Sequence, residues 1–198
     1  MSEAKEKLQR DLSIMEEMAA EMDEYLKSET LFWPLIKGGD LPRLTLGGYL
    51  MRQSRLKLLR DLLEPNGLER LDAAIEKFNH ALVEKIVRFE TKAHEELQAR
   101  LRQWGEYLKD LSRESGSYGD YYVAAVEARV MIAVLLDKLA MPPYQLDGRV
   151  LDQLSAYDRV LRNYWQPGEF VWQDGWQQAY PKNKYWWLYG SPRSHKDS

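Results

Sequence analysis

The stretch from Asn66 to Glu114, NGLERLDAAIEKFNHALVEKIVRFETKAHEELQARLRQWGEYLKDLSRE, contains no proline. Its apolar residues Leu71, Ile75, Phe78, Leu82, Ile86, Phe89, Ala93, Leu97, Leu101, Trp104, Leu108 and Leu111 recur with a mean step of about 3.6, the period of a straight helix. A single helix of this length would run roughly 70 Å at 1.5 Å per residue. Either it kinks, with Gly105 as the weak point, or part of it projects beyond its neighbours. Glu64-Pro65-Asn66-Gly67 breaks the chain just before it, and Asn66 with Glu69 has the spacing of a capping box.

Helical periodicity continues on both sides, and no segment alternates long enough to read as a strand. Upstream, a helix over 2–27 carries Leu8, Leu12, Met15, Ala19, Met22 and Leu26 in steps of four and three, a heptad seam widened by Met18 and Tyr25. A loop with Pro34, Gly38, Gly39 and Pro42 follows. It holds Leu31, Phe32, Trp33, Leu35 and Ile36, too apolar to hang in water, and reads as a lid over one end of a bundle. Thr45 caps a second helix ending near Leu63.

Downstream, Ser115 to Gly119 makes a turn and Asp120 opens a helix to about Met141. That helix is apolar on nearly every side and belongs at a centre. After Pro142-Pro143, Asp147 caps a further helix with the stripe Val150, Leu151, Leu154, Tyr157, Leu161 and Tyr164. From Trp165 onward the period is lost, and five of the seven tryptophans lie in this stretch. The expectation is an all-α chain: an antiparallel bundle of four to five helices with one very long helix over 1–164. An aromatic-rich irregular C-terminal tail, 165–198, packs on the same domain.

Composition narrows the function classes. The 198 residues are 44% hydrophobic and 30% charged, which suits a folded domain. The net charge of −3 argues against a dedicated nucleic-acid binder. The absence of cysteine excludes disulfides, thiolate nucleophiles and cysteine metal sites. The charged N-terminus has no apolar core like that of a secretion signal. The most apolar stretch, Tyr121 to Leu136, is interrupted by Glu127 and Arg129 and falls short of the roughly 20 residues of a membrane span. The expected setting is cytoplasmic, with no membrane partner.

Metal chemistry finds little support. Di-iron bundles use Glu-x-x-His pairs facing inward, and this sequence has none. His80 has Glu76 and Glu84 one turn away on either side, but it lies about 140° from the centre of the apolar stripe at 100° per residue, facing solvent. His94, with Glu90 beside it, lies nearer the flank, and His195 is in the tail. No metal and no cofactor are expected.

Three constellations remain as candidates. Glu127 and Arg129, charged in the most apolar helix, need partners on neighbouring helices. The bland account is a structural ion pair, and the sharper one is a ligand pocket. Arg43, Arg52, Arg55, Lys57 and Arg60 either pair with the acidic first helix or form a basic patch for phosphates. Trp165, Trp172, Trp176, Trp186 and Trp187 either wrap their own bundle or present an interface.

The function expected from these residues is a non-enzymatic protein-interaction or assembly subunit, with a protein partner or itself as a homo-oligomer. One alternative is a nucleic-acid-associated protein using the basic helix near 52–60. The other is a helical enzyme or small-ligand sensor with a pocket around Glu127 and Arg129.

Overall fold

The structure, a computed structural model, describes residues 3–113 and 121–193. The turn expected at Ser115 to Gly119 and the cap expected at Asp120 lie outside them. Six α-helices are described: α1 (Glu3–Lys27), α2 (Leu46–Leu58), α3 (Pro65–Glu84), α4 (Ile86–Ser112), α5 (Tyr122–Leu139) and α6 (Gly148–Tyr164). Strands β1 (Trp165–Pro167) and β2 (Gly190–Pro192) form one small sheet. No helix among the described residues is long and apolar enough to cross a membrane. Met1–Leu97 and Gln98–Ser198 form two compact units, the divide falling inside α4.

In the first unit the heptad seam of α1 is buried from Leu8 to Leu26, together with Met18 and Tyr25. Each such side chain contributes about 1.5–3 kcal/mol on leaving water. α2 runs antiparallel to α1, since Asp11 meets Arg55 while Met18 lies beside Gly48. α3 runs parallel to α1: Leu12 lies beside Gly67, Glu16 holds Arg70, and Asp23 holds Lys85. The purely antiparallel order expected from the sequence is therefore corrected for this pair.

The single very long helix is also corrected. It is interrupted at Lys85, where φ is −128° and ψ is 40°, and not at Gly105. The Lys85 N–H is shared between the carbonyls of Ala81 and Leu82, and its ammonium reaches the Asp23 carboxylate. The flanking Val83, Ile86 and Val87 are β-branched, which weakens the helix on both sides. The bend brings the Phe78 and Phe89 rings to 6.1 Å, although eleven helical steps would separate them by about 16 Å. Ile86, expected in the buried stripe, is exposed because the interruption resets the phase. The capping box expected at Asn66 is absent: Glu64 is the N-cap, Pro65 takes the first helical position, and no side chain caps the end.

In the second unit Leu101, Trp104 and Leu108 of α4 are buried, as are Tyr122, Val126, Val130, Ile132, Leu135 and Leu139 of α5. Gly105 serves packing. A Cβ there would stand 2.5 Å from the Tyr157 hydroxyl oxygen, so only glycine admits that ring. Asp147 caps α6 by accepting from the Arg149 N–H at 2.9 Å. β1 and β2 pair antiparallel with Gln166 opposite Ser191, an element too short to announce itself by alternation. Gly190, at φ +154°, closes this pairing, and a Cβ there would lie 2.1 Å from the Gln166 carbonyl oxygen.

Candidate functional site

The basic residues of α2 are placed by their side chains' need for a counter-charge. Thr45 caps the helix by accepting from the Gly48 N–H at 3.0 Å, and the Gly47 N–H donates to Glu96 Oε2 at 2.8 Å. Glu96 is fully buried. Its negative charge at an N-terminus is favourable, because the helix dipole and unpaired N–H groups are positive there. One turn further on, Arg52 donates to the Gly48 carbonyl at 2.9 Å. Asp11 of α1 receives Arg55 at 2.6 Å and lies 3.3 Å from Arg52 Nε.

Arg55 is 3% exposed, and Arg52 and Asp11 are buried with it. The basic patch expected at Arg43, Arg52, Arg55, Lys57 and Arg60 thereby loses two members from the surface. Arg52 and Arg55 face a carboxylate inside the fold, and only Arg43, Lys57 and Arg60 remain exposed. A pair of this kind costs several kcal/mol to desolvate, and its loss on one side costs more than its presence gains.

Two acids in this cluster escaped the sequence reading. Asp11 precedes Leu12 of the α1 seam, and Glu96 precedes Leu97 of the α4 stripe, so both sit on the flanks of apolar seams. α2 meets the first through Arg55 and the second through the Gly47 N–H. Lys92, one turn before Glu96, is buried too and donates to the carbonyls of Ser28 and Thr30 at 2.9 Å each. Burial holds its ammonium below the ordinary lysine range. The lid expected over 31–36 is pinned by Glu21, which accepts from Trp33 Nε1 at 2.7 Å and from the Ile36 N–H at 2.8 Å.

In the second unit Arg129 is buried and makes a two-pronged pair with Asp158 of α6, at 3.1 and 2.9 Å. Its guanidinium also lies 3.6 Å from the Trp187 ring centroid. With a carboxylate on one side and an indole on the other, it is a structural anchor. Glu127, two residues earlier, is half-buried on another face and does not join it.

The tryptophans fold back on their own unit. Trp187 is buried, while Trp165, Trp172, Trp176 and Trp186 are half-buried. Trp186 and Trp187 meet edge to face, Trp165 meets Trp186 at 5.1 Å, and Trp172 meets Trp176 at 6.3 Å. The Tyr122 hydroxyl donates to the Trp187 carbonyl, and Arg162 stacks 3.8 Å over Trp186. Burial pushes the Tyr185 hydroxyl up to about 12. The rings are thus largely occupied by one another and by α5 and α6.

A different surface carries the exposed apolar residues. Val83 and Val87 are each 72% exposed and Ile86 is 37% exposed, all at the junction of α3 and α4. Beside them, α1 and α3 enclose an open hollow of about 620 Å³. Ala19, Ala20, Ala73 and Ala81 floor it, and Glu76, His80 and Glu84 rim it. His80 is exposed, with Nδ1 3.7 Å from Glu84. Among the described residues no group of three His, Cys, Asp or Glu is placed to hold a metal ion.

Compared with protein-family models, with curated proteins and with solved structures, the chain matches none.

Proposed function

We propose that the chain is a non-enzymatic protein-interaction or assembly subunit, working as a homodimer in a cytoplasmic setting. The observation that carries this reading is the exposed trio Val83, Ile86 and Val87. Scattered exposed apolar residues need no explanation, but a cluster on one edge beside a hollow marks a contact surface. The polar groups suited to chemistry or anion binding speak the same way. Arg52, Arg55 and Arg129 are each held by a carboxylate of their own unit.

Native mass spectrometry of freshly purified full chain tests this reading. A dimer or higher assembly with no added mass is the expected result. A monomer carrying extra small-molecule or nucleic-acid mass would overturn it in favour of a ligand-binding role.

A further inference from the structure

We infer that the outer face of α3 is the seam of an antiparallel homodimer, in which Ala73 of one chain faces Val83 of a second copy and Glu76 faces His80. This rests on the assembly reading above and gives it a partner, with Val83 the member of the exposed trio that enters the seam. Glu69, Ala73, Glu76, His80 and Val83 follow one another in steps of four, three, four and three, the spacing of a coiled-coil seam. All five are exposed and lie within the unbroken helix Pro65–Glu84. The opposite seam of α3, with Leu71, Ala74, Phe78 and Leu82, is already buried.

Charge and size together select the second copy and its direction. A two-fold interface sets the same patch on itself, so the patch must complement itself. Parallel pairing would set Glu76 on Glu76 and valine on valine. Antiparallel pairing about a two-fold axis level with Phe78 sets 73 against 83 and 76 against 80 instead. The largest apolar side chain of the seam then meets the smallest, twice over, and each Glu76 carboxylate meets an imidazole.

The hollow floored by Ala20 and Ala73 gives the incoming Val83 somewhere to go. His80 keeps Nδ1 toward its own Glu84, leaving Nε2 for Glu76 of the second copy. Among the described residues Glu76 holds no ion pair of its own. The Lys85 interruption lies beyond the seam. Its bend carries Phe89 onto Phe78, on the inner side of α3, so α4 turns away from the axis.

The cysteine-free chain permits a direct test. In the full-length double variant Ala73→Cys/Val83→Cys the two thiols of one helix are about 15 Å apart, beyond the reach of a disulfide, which needs Cα atoms within about 7 Å. Mild oxidation should therefore give a covalent dimer from the double variant, while each single variant stays unlinked. His80→Glu should weaken the dimer roughly tenfold or more by placing like charges together. A wild type that is dimeric by native mass spectrometry but whose double variant does not cross-link would overturn the seam and leave the assembly reading standing. Linkage of either single variant would overturn the antiparallel register. A wild type that stays monomeric at every concentration would overturn the homodimer itself.

Discussion

In the first unit a buried carboxylate, Asp11, is gripped by two arginines of α2; in the second a buried arginine, Arg129, is gripped by a carboxylate and an indole. The two units thus solve one problem, charge inside a helical core, with different materials. Around Asp11 the counter-charges come from two arginines of one neighbouring helix. Around Arg129 the aromatic tail supplies ring faces and edges, which bind a cation and pack as core at the same time. The first unit should therefore be sensitive to charge and the second to ring removal.

The largest effects should separate the two units. Arg55→Met leaves Asp11 buried with less than its full grip and should cost about 3–5 kcal/mol. Trp187→Ala should cost a similar amount, about 3–5 kcal/mol, through the cavity it opens. Urea unfolding gives the totals, and peptide-level hydrogen exchange gives the location. Loss of protection should centre on α1 and α2 for Arg55→Met and on α5 and the tail for Trp187→Ala. Protection lost equally in both units for both variants would erase the distinction.

A smaller effect is expected at Gly190. Gly190→Ala puts a Cβ against the Gln166 carbonyl in a backbone conformation that alanine avoids, at a cost of about 1–3 kcal/mol. Hydrogen exchange should show it first at the β1–β2 pairing.

The smallest effect is acid-side and belongs to the first unit. Asp23 accepts from Lys27 and then from Lys85, and both hold its carboxyl below the ordinary range. A carboxyl depressed in the folded state stabilises above its unfolded value and loses that contribution as pH falls through the folded one. Asp23→Asn should therefore lower the urea midpoint at neutral and mildly alkaline pH and converge with the wild type in acid, which flattens the acid-side decline. An unchanged decline would show that Asp23 carries no part of it.

Much of the helical pattern was legible because it is periodic. The α1 seam, the caps at Thr45 and Asp147, and the stripe from Leu71 to Leu108 apart from Ile86 follow from spacing and side-chain chemistry. The break at Lys85 was not legible, because neither proline nor glycine marks it. It is held by a contact with Asp23 and by Phe78 meeting Phe89, both formed only when distant segments pack. Gly105, which looked like the breaker, is small because Tyr157 needs the space.

The candidate site was harder to read for the same reason. Arg52 and Arg55 have the spacing of an exposed basic face, and Asp11 across the helix pair draws them inward. Val83 and Val87 lie off the expected stripe, so spacing alone puts them outside, whereas Ile86 joins them only because of the interruption. The tail's tryptophans announced burial but not which surface would bury them.

Sedimentation velocity of the full chain and of Val83→Asp, across a concentration series, tests the α3 face as the assembly surface most directly. A dimeric wild type beside a monomeric variant of unchanged helicity is the expected result. A variant that associates as strongly as the wild type, or a wild type that never associates, would contradict it.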